Sequence, residues 1–392
     1  MPDQKQKVLI VHNYYQIPGG EDTVVANEKK LLEDHGHEVV LYTRHNEELK
    51  TFSKFQKLLL PVSTVFSTKT YREIKALIRK EKIQIVHVHN TLNLVSPSVY
   101  YAALSCKVPV VQTIHNFRLL CPGAAFFRDG HICEDCVSKG LACAVKHKCY
   151  RGSMLQTLAC VVSTGIHRMT GIYGKLNYIC LTAFNKEKLL QLKQVKKHKV
   201  FIKPNFVEPA KCVVPYEERK EQFIYAGRLD QLKGIEILLE AWKAYPSDKE
   251  KLLICGTGPM EAWCRGFIER HHLNNVEMKG FVENSDVKKM IGESKAMILP
   301  TQWYEGFPMT IVESYAAGTP VIASDLGNAG SLVEEGISGW KFKADSAEAL
   351  TEVLKKASAH PMGLEESYVE KYSVESNYEQ LRNIYETCCN HN

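Results

Sequence analysis

The chain has 392 residues, 45% hydrophobic and 24% charged, too many for one core and suited to two domains of about 150–200 residues each. Its formal net charge of +6 conceals a split: residues 1–208 carry 30 Lys and Arg against 16 Asp and Glu, while residues 209–392 carry 20 against 28. A basic half can face an anionic membrane, a phosphorylated substrate or plain water; no helix-turn-helix, zinc-finger or RNA-recognition signature accompanies it, which leaves no ground for a nucleic-acid partner.

Residues 7–12 form the first strand candidate and open the ordered pattern with no apolar export segment ahead of them. A cytoplasmic location is therefore expected, and the thirteen cysteines are expected as reduced thiols or metal ligands. Further strands are predicted at 38–42, 83–89, 108–115 and 178–181, with helices at 22–33, 71–80, 96–104 and 186–192. The apolar stretch at 155–166 falls short of the ~20 residues that a membrane span needs. A Pro- and charge-rich stretch at 204–219 then marks a boundary. Beyond it strands are predicted at 222–226, 251–255, 276–279, 296–299 and 321–323, and helices at 235–244, 260–270, 287–293 and 310–317. A last helix is predicted at 374–388. Strands alternating with helices in this way make an α/β protein with parallel sheets.

Two motifs in the second half carry chemistry. Gly227-Arg228-Leu229-Asp230-Gln231-Leu232-Lys233-Gly234 follows a strand and precedes a helix, so both cations lie on a loop at the carboxyl end of a parallel strand, where open α/β sheets bind ligands. A planar fork beside a point charge suits a diphosphate, although the same loop could be merely solvated. Glu305-Gly306-Phe307-Pro308-Met309-Thr310-Ile311-Val312-Glu313 follows the next strand but two. Pro308 reads as an early helix position, which puts the amides of Gly306 and Phe307 at a helix N-terminus suited to an anion. Glu305 and Glu313 can each take hydroxyls of one extended ligand.

Together these motifs resemble the donor half of family-4 glycosyltransferases, which have the two-domain GT-B fold. Pro18-Gly19-Gly20 resembles the family's Gly-rich loop after the first strand. Pro204-Asn205, Cys255-Gly256-Thr257-Gly258-Pro259, Gly280-Phe281-Val282 and Pro320-Val321-Ile322-Ala323-Ser324 also stand where the family has them. The resemblance implies two Rossmann-like domains facing across a cleft: residues 1–208 bind the acceptor and residues 209–365 bind a nucleotide-diphosphate sugar. A C-terminal helix over residues 366–392 crosses back to the first domain. It implies that Arg228 and Lys233 clamp the diphosphate, that Glu313 binds ribose, and that Glu305, Gly306, Phe307 and Pro308 meet the sugar and distal phosphate. Gly258, Phe281 and Val282 would lie near the base, and Gly19 and Gly20 beside donor phosphate and acceptor. No Asp-x-Asp occurs, which fits a retaining transferase whose leaving group is neutralised by side chains and a helix dipole, with no metal or other cofactor required for catalysis.

In the first half, His115-Asn116 ends a strand at the catalytic edge. The family commonly has His-Asp there, and the resemblance makes His115 the contact to the donor sugar. His87 and His89 alternate along one strand and share a face, His89 nearer its end. Glu21 and Asp22 begin a helix and read as caps.

Residues 122–153 break the rhythm as a loop-like segment without apolar core. Cys121, Cys133, Cys136 and Cys149 are spaced C-x11-C-x2-C-x12-C within an insertion over about 121–152, the pattern of a structural zinc knuckle or of buried free thiols. The insertion resembles that of a bacterial subgroup in capsule and exopolysaccharide pathways, implying a polyprenyl-linked saccharide acceptor. Residues 54–66 are basic and apolar at helical spacing, interrupted by Pro61. They suit either the anionic inner face of the plasma membrane, as a peripheral protein, or packing against the sheet. A sugar-nucleotide epimerase or phosphorylase of the same architecture, and a non-catalytic sugar-nucleotide scaffold, are the alternatives.

Overall fold

Val8-Leu9-Ile10-Val11 has no polar alternation, and it becomes a strand covered on both faces, with all four side chains fully buried. The structure, a computed structural model, describes residues 5–16, 19–208, 213–247 and 249–390; Pro18 and residues 209–212 at the expected boundary lie outside them. The chain divides into two units, one of Met1–Pro204 with Tyr378–Asn392 and one of Asn205–Asn377.

In the first unit, β1 (Lys7–Tyr14), β2 (Glu38–His45), β3 (Ile85–Val88), β4 (Val110–Ile114), β5 (Asn177–Cys180) and β6 (Val200–Ile202) form one parallel sheet in the order β2-β1-β3-β4-β5-β6. The order reverses between β1 and β3, so the carboxyl ends of those strands open a ligand crevice. Helix α1 (Gly20–Asp34) buries Val24, Val25, Leu31 and Leu32 against the sheet, and with them Glu28. The C-terminal helix, Val374–Asn390, adds Tyr385 to this unit, and its hydroxyl is 2.7 Å from His87 Nδ1.

In the second unit, β7 (Gln222–Ala226), β8 (Lys251–Cys255), β9 (Val276–Gly280), β10 (Ala296–Leu299), β11 (Val321–Ser324) and β12 (Gly339–Phe342) run parallel in the order β9-β8-β7-β10-β11-β12. Successive side chains of β7 feed opposite layers: Phe223 and Tyr225 pack with Leu238, Leu239 and Trp242, whereas Ile224 and Ala226 pack with Ile311, Val312 and Tyr315. Each buried Phe, Leu, Ile or Val among them contributes about 1.5–3 kcal/mol. The reversal here lies between β7 and β10, whose carboxyl ends lead into residues 227–234 and 300–308.

The structure departs from expectation in several places, and the thirteen-residue helix Ala347–Ala359, which was not expected, is one. Pro61 does not interrupt its helix, which runs Lys54–Val65. Met154–Met169 is a sixteen-residue helix that was not expected. The short strands β6 and β12 were likewise missed. Pro308 caps the helix Met309–Ala316 from outside instead of forming its first turn. The segment 122–153 has a small core of its own, with Phe126 and Ala144 fully buried and Phe126 packed on Phe117 at 5.0 Å between ring centroids.

Candidate active site

The loop after β7 is shaped by its neighbours before it does any chemistry. Gly227 N–H donates to Cys255 O and Leu229 N–H to Thr257 O, each at 3.0 Å, tying it to the loop after β8. A Cβ on Gly258 would stand 2.3 Å from Leu229 O, so the backbones touch there and only glycine fits. Asp230 accepts from Lys233 N at 3.1 Å and so turns the loop back, and Asp230 Oδ2 lies 3.4 Å from Arg228 Nε. Arg228 is left two-thirds exposed, with its carbonyl held by Tyr225 OH at 2.8 Å.

Lys233 meets the second motif directly. Its Nζ is 2.7 Å from Glu305 Oε1, which also accepts from Thr301 Oγ1 at 2.9 Å. Glu305 is buried, so this ammonium and hydroxyl are what keep its charge tolerable. Asn328 Nδ2 donates to the carbonyls of Glu305 and Gly306 at 2.6 and 2.7 Å and fixes the turn. On the other side, Arg228, Gly258, Phe281, Val282 and Glu313 line one open pocket with Thr310. Glu313 Oε1 takes Asn284 Nδ2 at 3.3 Å and lies 3.5 Å from Lys288 Nζ. Five of the sequence-predicted residues thus share a pocket, and Lys233 with Glu305 forms an ion pair joined to it through the Arg228–Lys233 loop. Gly306, Phe307 and Pro308 carry the chain from that pair into the helix. Thr301 and Asn328 were not predicted; neither carries a charge to mark it.

In the first unit His115 follows β4 as expected, and the structure adds a set of polar residues behind it. His115 Nε2 is 2.9 Å from His89 Nδ1; His89 Nε2 is 3.1 Å from Glu28 Oε2; Glu28 Oε1 is 2.6 Å from Lys203 Nζ. Burial alone would raise the Glu28 pKa, but Lys203, His87 and His89 outweigh it and hold the carboxyl well below its usual range. Burial also pushes His115 well below 6.5, with His89 adding to it, and takes His87 down to about 3. Glu28 was missed, although a Glu on the apolar stripe of a helix is the signal that could have found it.

Gly19 caps α1 and Gly20 begins it, and among the described residues, chain neighbours and the helix's own backbone aside, no atom lies within 4 Å of where a Cβ would be at either. Asp22 caps the helix as expected, accepting from Gly19 N at 2.9 Å, and also meets His12 Nε2 at 2.7 Å. Burial takes His12 down to about 4 and raises Glu21 to about 7. Among the described residues, two groups stand close enough to hold a metal ion: Glu28, His87 and His89, and His12, Glu21 and Asp22.

The insertion brings Cys121, Cys136 and Cys149 together. Burial and the neighbouring thiols of Cys121, Cys149 and Cys143 push Cys136 up to about 12, and Cys149 rises through burial and Cys121. No three described cysteine sulfurs lie within 4.8 Å of one another, so the thiols are adjacent without being drawn into a tetrahedron.

Two family models match the chain, one described as glycosyl transferases group 1 over residues 211–372 and one as glycosyltransferase family 4 over residues 18–130. An uncharacterized 41.2 kDa protein in the cps region of Klebsiella pneumoniae is 21% identical over 90% of both chains. The putative colanic acid biosynthesis glycosyltransferase WcaL of Salmonella typhimurium is 32% identical over 145 residues, 35% of this chain and 36% of that one, so the match spans about a third of that relative. Among solved structures, Anabaena HepE in complex with UDP and glucose is similar with a TM-score of 0.63 at 15% identity, covering 97% of this chain and 100% of that one. The fold is GT-B. The chain belongs to the family-4 glycosyltransferases.

Proposed function

We propose that the protein transfers a sugar, with retention, from a nucleotide-diphosphate sugar to a lipid-linked saccharide in the assembly of a bacterial surface polysaccharide. The observation that carries this reading is the pocket at the carboxyl edge of the second sheet. Arg228 and Lys233 are two cations on one rigid loop, and Glu313 stands on the wall that Gly258, Phe281 and Val282 complete. Arg228 and Lys233 clamp the diphosphate, Glu313 takes ribose hydroxyls, and Glu305 with the turn of Gly306, Phe307 and Pro308 takes the sugar. The complex of HepE with UDP and glucose supports a donor of this kind, and the cps-region and colanic acid relatives support the pathway.

The bond from the anomeric carbon to the diphosphate breaks, and the acceptor oxygen joins the same face. The acceptor's proton passes to the departing phosphate oxygen, so no protein nucleophile is needed. His115 contacts the sugar, and the open space over Gly19 and Gly20 is room for ligand. With two cations on the leaving group, no divalent ion is required. Zinc, bound by Cys121, Cys133, Cys136 and Cys149, is proposed only as a staple of the insertion.

The acceptor's lipid places the protein at a membrane surface. Among the described residues no helix is long and apolar enough to cross one. Helices Lys54–Val65 and Met154–Met169 pack on each other and turn apolar side chains to solvent, with Leu58 74%, Leu155 77% and Met169 82% exposed. No Asp or Glu occurs from residue 50 to 72 or from residue 137 to 186, whereas Lys and Arg recur in both. The groove between the helices is lined by Leu60, Pro61 and Leu155 with Lys57 and Arg151, a match for an apolar chain and its phosphate.

The test is transfer of labelled sugar from a panel of nucleotide sugars into the lipid extract of bacterial membranes, with excess EDTA present. Labelled lipid with equimolar release of nucleoside diphosphate is expected. Turnover that requires inorganic phosphate, or that yields an epimer without acceptor, would overturn the reading.

A further inference from the structure

His115 is backed by a chain of buried groups that the transfer step does not itself use. His89 is stacked beside it, ring centroids 5.2 Å apart and 21° from parallel, and their facing nitrogens are 2.9 Å apart. Glu28 and Lys203 continue the chain at 3.1 and 2.6 Å, and Glu28, His89 and Lys203 are each at most 3% exposed. The His89 Nε2 to Glu28 Oε2 contact is close but too oblique for a full hydrogen bond, and among the described residues neither atom makes a hydrogen bond elsewhere. The members come from α1, from the end of β3, from the end of β4 and from just beyond β6, so the fold spends four separate elements on one line of polar atoms.

That line has a direction. Lys203 holds Glu28 as a carboxylate, and that negative charge 3.1 Å away favours the hydrogen of His89 on Nε2. With one hydrogen on each imidazole, the His89 Nδ1 is then bare. Two imidazole nitrogens 2.9 Å apart share one hydrogen, so it must lie on His115 Nε2. His115 Nδ1 is left as an acceptor.

We propose that Glu28 and His89 are positioning residues that fix His115 as its Nε2–H tautomer, so that its Nδ1 accepts a hydrogen bond from a sugar hydroxyl. The other groups facing this line are consistent with it. His87 Nδ1 is 3.7 Å from Glu28 Oε2, but its two nitrogens are bound by Tyr385 OH and Thr113 Oγ1 at 2.7 Å each. His12, 6.3 Å from His89 between ring centroids, is taken by Asp22. Glu28, His87 and His89 are close enough to hold a metal ion, yet the ammonium of Lys203 already supplies the cation that this carboxylate needs. The sugar contact rests on the reading of His115 given above; the tautomer does not.

The experiment is nitrogen-15 NMR of the full chain labelled at histidine, with the His115 signals identified by their loss in His115→Gln. Two-bond couplings separate the tautomers. Wild type should show His115 protonated at Nε2 near neutral pH, and Glu28→Gln should show a mixture. An Nδ1–H tautomer in wild type, or unchanged His115 signals in a folded Glu28→Gln, would overturn the proposal. Because Glu28→Gln removes the carboxylate that faces Lys203, Glu28→Gln with Lys203→Met serves as a second variant under the same criteria. In transfer assays Glu28→Gln should lose about 10–100-fold in kcat with donor KM little changed, the size of effect seen for partners behind metal-bound histidines. A tautomer that shifts while kcat holds would contradict the role of His115 and leave the relay standing.

Discussion

Glu305 and Glu313 are both carboxylates near the loop after β7, and their surroundings differ. Glu305 is buried on Lys233 at 2.7 Å, whereas Glu313 lines the open pocket with Arg228. Glu313→Ala should therefore weaken free nucleoside diphosphate and whole donor alike, while Glu305→Gln should mainly lower kcat. Calorimetric titration of both variants with nucleoside diphosphate checks this; equal losses of affinity would contradict it. A second residue-scale prediction concerns Glu21, whose pKa burial lifts from 4.5 to about 7. An acid with a raised folded-state pKa contributes its stability below 4.5 and loses it as pH rises to 7. Above pH 7, Glu21→Gln should thus be more stable than wild type, by up to ~3 kcal/mol at 1.36 kcal/mol per unit. Melting curves of both from pH 4.5 to 8 provide the measurement, and parallel curves would refute it.

At the scale of elements, the loops after β7 and β10 were legible as loops because charged and glycine residues there interrupt the apolar runs of the strands. The helix Met154–Met169 was not legible: its apolar residues lie on the outer face, so no inward stripe announces it. Short strands such as β6 leave too little pattern. Pro61 misled because it removes one backbone hydrogen bond without ending the helix, which lies against Met154–Met169. The two exposed helices predict flotation with vesicles of anionic phospholipid, weakened by salt. Leu58→Asp with Leu155→Asp should abolish it while leaving melting temperature unchanged, since both side chains are already in water. Undiminished flotation would contradict the membrane face. For the insertion, purified protein should carry close to one zinc per chain. Cys133→Ser with Cys136→Ser should lose it and damage acceptor use more than donor binding. Elemental analysis without zinc in protein made zinc-replete would leave the cysteines as buried thiols.

For the whole molecule, parallel sheets and the order of motifs were readable from the chain, whereas the network of Glu28, His89, His115 and Lys203 was not, because its partners lie up to 175 residues apart. The central claim is that the second unit grips a nucleotide diphosphate through Arg228 and Lys233. Its most direct test is a thermal-shift panel of UDP, GDP, ADP and dTDP and their sugars, on wild type and on Arg228→Ala with Lys233→Ala. Ligand at a hundred times its dissociation constant stabilises by about 2.7 kcal/mol. The account predicts that one nucleotide series raises the wild-type melting temperature by several degrees and leaves the double variant unmoved. No shift with any nucleotide, or an equal shift in the double variant, would contradict it.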